Sequence, residues 1–144
     1  MERAELIALS NPGSPIVEAY RNVRNIIRTA GEKMRVVEIA GIVPNEEKSV
    51  FTANLAVVMA QSGKKILLMD CDSANPTQHT LFQLDNRGLS EATVSGNDIH
   101  AFCQPTGQSG LDLLAAGSGI LSDLFSSERF PQLLDEMKES KNFS

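Results

Sequence analysis

The sequence predicts an α/β domain in which helices flank a mostly parallel sheet. Three observations carry this. The short apolar runs MRVVEIA (34–40), KKILLMD (64–70) and LDLLAAG (111–117) have the length and composition of strands covered on both faces. A run with helical spacing lies between the first two, so the order is that of a βαβ unit, with a right-handed crossover and parallel strands. The chain has 144 residues, of which 42% are apolar, enough for one domain with a real core.

The elements come in order along the chain. Residues 1–13 read as a polar leader closed by the turn signal Asn11-Pro12-Gly13. Ser14 and Pro15 read as N-cap and first residue of a helix. Ile16, Tyr20, Val23 and Ile27 form its apolar stripe to about Arg28, and Gly31 ends it. Residues 34–40 are expected as a short buried strand and 41–48 as a loop. Residues 49–62 are a helix, with Phe51, Leu55, Val58 and Met59 inward and Gly63 as its stop. Residues 64–70 are the second strand. Residues 73–88 are a loop with at most a helical turn, and 89–96 a short helix capped by Ser90. A turn at 104–110 precedes the third strand. A last helix, 128–140, is capped by Ser127, and its Pro131 is tolerable only in the first turn.

Composition excludes several functions. A net charge of −5 argues against nonspecific nucleic-acid binding. No apolar run reaches the length of a membrane span, and the charged N-terminus is no signal peptide. A cytoplasmic protein without direct membrane insertion is expected. Cys71 and Cys103 fit no zinc spacing and are expected as reduced thiols, Cys71 buried at a strand end. His79 and His100 have no ligand-like companions and read as loop or surface residues. Tyr20, on an apolar stripe, reads as core.

One stretch suggests chemistry. In GIVPNEEKSV (41–50), Lys48 and Ser49 stand between a strand-like and a helix-like run, where a phosphate-binding loop places its Lys-Ser pair. There the lysine reaches the outer phosphates, the serine hydroxyl holds a magnesium ion, and the helix N-terminus favours an anion. The pattern wants glycine at 42 and 47, but Ile42 and Glu47 stand there. A carboxylate about 4 Å from a phosphate charge would cost roughly 4 kcal/mol at an effective dielectric near 20. That is about a thousandfold in affinity, unless Glu47 swings into solvent. The plainer reading is that Lys48 only opens a surface helix.

Taken together, several stretches resemble the cytoplasmic kinase domain of the bacterial tyrosine kinases of capsule and exopolysaccharide synthesis, relatives of the MinD/ParA-type P-loop ATPases. SPIVEAYRNVRNII (14–27) is similar to the family's opening helix, and EKSVFTANLAVVMAQSGKKILLMDCD (47–72) to Walker A, its helix and the Walker A′ strand ending in Asp-x-Asp. NPTQHTLF (75–82), GLSEATVSG (88–96) and the segments from 111 to 139 are similar to the family's later segments, in the same order. The resemblance implies a P-loop NTPase-like sheet flanked by helices, and ATP or ADP with Mg²⁺ at a loop comprising Asn45, Glu46, Glu47, Lys48, Ser49 and Val50. Lys48 would contact the β and γ phosphates and Ser49 would bind the metal. Asp70 would be the candidate base toward a tyrosine hydroxyl, and Asp72 would hold the metal's water shell. Glu18, Arg21 and Arg24 match a motif implicated in ring-like self-association, which is equally readable as a solvated helix face.

The departures are specific. Relatives read Pro-Gly-x-Gly-Lys-Ser-Thr where this chain reads Pro44-Asn45-Glu46-Glu47-Lys48-Ser49-Val50. They carry a basic pair where Ala74 and Asn75 stand, and they continue past the equivalent of Phe143 into a Walker B strand. The resemblance therefore implies one domain, 1–144, lacking the Walker B strand. A degenerate kinase-like domain is expected, with weak or no phosphoryl transfer, possible loss of nucleotide, self-association and a membrane adaptor as partner at the inner face of the membrane. The alternatives are an active tyrosine kinase or ATPase completed by a longer chain or an oligomer, and a stable fragment without ligand.

Overall fold

The computed structural model describes residues 6–31, 33–42, 46–96, 98–140 and 142–144. Its centre is a three-stranded sheet of β1 (Ile66–Met69), β2 (Gln104–Pro105) and β3 (Leu111–Leu114), in the order β1-β3-β2. β1 and β3 are parallel, with Ile66 opposite Leu111 and Met69 opposite Leu114. β2 runs antiparallel to β3. The sheet is therefore mixed, although its longer pairing is the parallel one expected.

Side-chain alternation along the strands gives the sheet two apolar faces. On one face Leu68, Leu111 and Leu113 pack with Ala8, Val17, Leu55, Val57 and Val58. These belong to α1 (Ile7–Ser10), α2 (Pro15–Ala30) and α3 (Glu46–Gln61). On the other face Leu114 packs with Leu89, Phe102, Leu121, Leu133 and Met137, and Leu67 and Met69 join them. These lie on or beside α5 (Leu89–Ser95), a 3₁₀ turn (Ile99–Phe102), α6 (Ser122–Phe125) and α7 (Arg129–Glu139). The one-turn α4 (Gln78–Leu81) follows β1 by a short loop. The result is a helix–sheet–helix sandwich, the layering the sequence predicts.

α2 begins as expected, with the Ser14 hydroxyl accepting from the Ile16 amide and Pro15 at the first position. Tyr20 is part of the core, its ring 5.6 Å from that of Phe51. α3 is covered nearly all round, since every residue from Ala53 to Val58 is buried.

Several expectations need correction. Residues 34–40 form no strand. No described strand pairs with them, and Met34, Val36 and Val37 are exposed. An apolar run becomes a strand only where a neighbour takes up its backbone hydrogen bonds. The polar leader is structured from Ile7, because α1 docks on α3 through the buried Asn54. Its Oδ1 accepts from the Ala8 amide at 2.9 Å, and its Nδ2 donates to the Val50 carbonyl at 2.9 Å. α3 starts at Glu46 rather than 49, so Lys48 and Ser49 lie inside its first turn. The cap of α5 is Gly88, while Ser90 is buried within the helix. α6 and the 3₁₀ turn carry no distinct signal in the sequence, being only a turn long each. The cap position of α7 is Glu128 rather than Ser127, whose hydroxyl nonetheless accepts from the Arg129 amide at 3.2 Å.

Candidate functional site

The site forms where the first turn of α3 meets the C-terminal end of β1 and the loop that leads into α4. Asn45 lies outside the described residues, as do Val43, Pro44 and the side chain of Glu46. Glu47 is exposed. One position on, Lys48 Nζ stands 3.4 Å from Asp72 Oδ2. Ser49 is buried, and Val50 is half-buried where relatives are expected to carry threonine.

Asp70, at the end of β1, organises the loop. Its carboxylate is buried. Oδ1 accepts from the Asp72 amide at 3.0 Å, and Oδ2 from the amides of Thr77 and Gln78 at 3.1 and 3.2 Å. Three backbone donors thus converge on one side chain, leaving one lone pair of Oδ1 without a donor among the described residues. Asp72 repeats the device on a smaller scale, its Oδ1 accepting from the Asn75 amide at 3.1 Å while Oδ2 faces Lys48.

The loop in turn grips the helix. Thr77 Oγ1 donates to Ser49 Oγ at 2.7 Å, and Gln78 Nε2 donates to the Ser49 carbonyl at 3.0 Å. The other end of that amide, Gln78 Oε1, is buried without a hydrogen-bond partner among the described residues. This orphaned acceptor belongs to the side chain that holds the Ser49 carbonyl, on the loop anchored by Asp70, and adds an oxygen donor of the kind a hydrated hard cation takes. Magnesium takes oxygen ligands and keeps most of its waters. Among the described residues no group of three or more His, Cys, Asp or Glu could hold a metal by itself.

The nearby Cys71 is exposed as a residue, against the expectation of burial. Desolvation of its sulfur, helped by the charges of Asp70 and Glu38, pushes its thiol up to about 11. Burial, then Asp112 and Asp98, raises Cys103 to about 11 as well. Both are free cysteines and protonated at neutral pH, so neither is an activated nucleophile.

Hydrogen bonds link Lys48 to Asp72, Asp72 to Asp70, and Ser49 through Thr77 to Asp70. Glu18, Arg21 and Arg24 lie elsewhere, on α2. Arg21 bonds Glu18 at 3.1 Å and donates to the Pro12 carbonyl at 2.8 Å. Arg24 donates to the Val58 carbonyl at 3.1 Å, near the C-terminal end of α3, where a cation is favoured. Thr77 and Gln78 stand out in the sequence only as part of a stretch similar to the family. Their signal is a hydroxyl and an amide after Pro76, a few residues beyond Asp-x-Asp.

A two-faced α/β sandwich with a Lys-Ser pair opening a buried helix and two aspartates after the adjacent strand defines a P-loop NTPase-like domain. Similarity to known proteins narrows the class. No protein-family model matches the chain. The chain is 40% identical over 115 residues to the tyrosine-protein kinase YwqD of Bacillus subtilis, a match covering 78% of this chain and 48% of that protein. It is 32% identical over 138 residues to the tyrosine-protein kinase wzc of Salmonella typhimurium, covering 92% of this chain and 19% of that one. Among solved structures, the chimerical protein CapA2B2 superposes with a TM-score of 0.87 at 34% identity, covering 99% of this chain and 65% of that one. The kinase domain of the Escherichia coli tyrosine kinase ETK also gives a TM-score of 0.87, at 28% identity, covering 99% of this chain and 58% of that one. Its homologues are bacterial tyrosine kinases, and the chain spans about half or less of the YwqD and wzc proteins.

Proposed function

We propose that this chain is a nucleotide-responsive tyrosine-kinase-like domain of capsule or exopolysaccharide synthesis, with weak or no phosphoryl transfer and a regulatory, associating role. The observation that carries it is the bonded set Lys48–Asp72, Thr77–Ser49 and Asp70 to the 72–78 loop. It holds the residues expected to meet phosphate and metal in one place despite the altered loop. In this reading Lys48 leaves Asp72 to contact the β and γ phosphates of ATP or ADP. Giving up that partly exposed ion pair costs about 0–1 kcal/mol. Ser49 and Asp72 hold Mg²⁺, directly and through water, and the bound ion supplies charge neutralisation at the phosphates. Asp70 keeps the loop in shape, with Oδ1 as the position from which a tyrosine proton could be taken. Weak transfer is supported by Ala74 and Asn75, which offer no positive charge toward the γ-phosphate.

Self-association, with a membrane adaptor as a further partner, is assigned to α2. That reading is supported by Ile16 and Ile26, which are 57% and 67% exposed. Arg21 and Arg24 already bond their own chain, so they shape this face from within. Among the described residues no helix is long and apolar enough to cross a membrane, which fits recruitment through a partner to the inner face.

The test is calorimetric titration with ADP and ATP, with and without Mg²⁺, beside Lys48→Ala, and a tyrosine phosphorylation assay. Binding lost in Lys48→Ala, with phosphorylation no higher than in that variant, is the expected result. Absence of binding in the unmodified chain would overturn the nucleotide part. A second reading, an active kinase, is favoured by the exposed Glu47, which removes the main electrostatic objection. Phosphorylation that vanishes in Lys48→Ala would establish it.

A further inference from the structure

The bond between Thr77 and Ser49 has a consequence for the metal. A serine hydroxyl has one proton and two lone pairs. Thr77 Oγ1 donates into one lone pair of Ser49 Oγ at 2.7 Å. The Gln78 amide fixes the Ser49 carbonyl at 3.0 Å. Both residues are themselves fixed, because their backbone amides end on Asp70 Oδ2. The serine is therefore held at its side chain and its main chain by two consecutive residues of a loop that a buried carboxylate anchors. Among the described residues, one lone pair of Ser49 Oγ stays open. The buried and unpartnered Gln78 Oε1 belongs to the same amide that grips Ser49. A buried acceptor without a donor is costly, and a donor arriving with a ligand would relieve it.

We infer that Thr77 and Gln78 are positioning residues for magnesium. Thr77 sets the Ser49 hydroxyl so that its open lone pair meets the cation, and Gln78 Oε1 accepts a hydrogen bond from a water of the cation's shell. This deepens the reading of the site as one for Mg-nucleotide and rests on it. It also assigns work to a stretch that carries no charge and no recognisable catalytic residue.

The test compares ADP affinity with Mg²⁺ and with EDTA by calorimetry, in the unmodified chain and in Thr77→Val and Thr77→Ser. The readout is the factor by which magnesium tightens ADP binding. Thr77→Val should reduce that factor about fivefold, the worth of one ordinary hydrogen bond. Thr77→Ser, which restores the donor, should recover it. A merely structural role would weaken ADP in both conditions alike and leave the factor unchanged, which would overturn the inference. Thr77→Ala repeats the comparison should valine disturb packing, judged by far-UV circular dichroism. The two failures separate cleanly. If the unmodified chain binds no ADP, the nucleotide reading falls and takes the inference with it. If it binds ADP and the factor ignores Thr77, the inference alone falls.

Discussion

For the proposed phosphate loop Glu47 is the critical departure, and its position alters the arithmetic. By spacing alone, a carboxylate next to Lys48 threatens about a thousandfold in affinity, on the assumption of close approach and a dielectric near 20. In the structure Glu47 is exposed. In water the same pair at about 4 Å interacts by only about 1 kcal/mol, and less at greater distance or in salt. Glu47→Gln should therefore tighten ADP by less than about fivefold, measured by calorimetry at physiological ionic strength. A gain approaching a thousandfold would mean that Glu47 turns inward when nucleotide arrives. Lys48 and Ser49 are legible from the spacing of a phosphate loop, whereas Asp70 and Asp72 are reached only through the family resemblance. Thr77 and Gln78 are not legible from spacing, because their part depends on a loop fold that only the three bonds to Asp70 create.

At the scale of elements, α5 shows how a seven-residue helix is fastened without a capping side chain before it. Its Glu91 accepts from the Gly88 amide at 3.0 Å, from the Ser90 hydroxyl at 2.8 Å, and from both the amide and hydroxyl of Ser118 at 3.1 Å. Gly88 has no side chain because a Cβ would collide with the Ala115 backbone, where the chain bridges to the end of β3. One carboxylate thus ties the helix start to the loop beyond β3. Partial burial alone would raise this carboxyl, but the bonds from Gly88, Ser118 and Ser90 outweigh it and bring it from 4.5 down to about 2. A depressed folded value means stability that is fully present above the unfolded value and lost as pH falls toward the folded one. Glu91→Gln should cost about 1–2 kcal/mol at pH 7, the worth of charge-assisted bonds at a partly exposed group. The difference from the unmodified chain should shrink between about pH 4.5 and pH 2. Urea denaturation at a series of pH values measures this, and a difference that stays constant down to pH 2 would refute it. Gly88→Ala should be more damaging, because the clash is with backbone. The helix itself is visible in the sequence, but patterning puts its cap at Ser90, two residues late. The composition around 88–91 contains a good capping serine and a good capping glutamate, and only the approach of Ala115 shows which is used.

For the whole molecule, the sheet is the part that sequence patterning describes least completely. Runs 64–70 and 111–117 contain β1 and β3, while the similar run 34–40 does not join them. Nothing local separates the three, since each is short, apolar and rich in branched residues. What separates them is whether a neighbouring strand is at hand, and periodicity cannot report that. The consequence is an uneven sheet. β1 pairs with β3 on one side, and among the described residues no strand pairs with its other side. The Ile66 amide donates to the Gly110 carbonyl at 2.7 Å and the Asp70 amide to the Leu114 carbonyl at 3.0 Å, so the two-residue period directs the Leu68 amide the same way. Leu67 and Met69 then direct their amides toward the unpaired edge. Hydrogen exchange read by NMR should alternate along β1. Ile66, Leu68 and Asp70 should exchange near the global unfolding rate, while Leu67, Met69 and the backbone of 34–40 exchange much faster. Uniform protection along β1, shared by 34–40, would show that a further strand closes this edge in solution. Such closure would also bear on the site, because Asp70 directly follows β1 and anchors the loop that holds Ser49. An exchange pattern would then read out the sheet edge and the proposed phosphate site in one measurement.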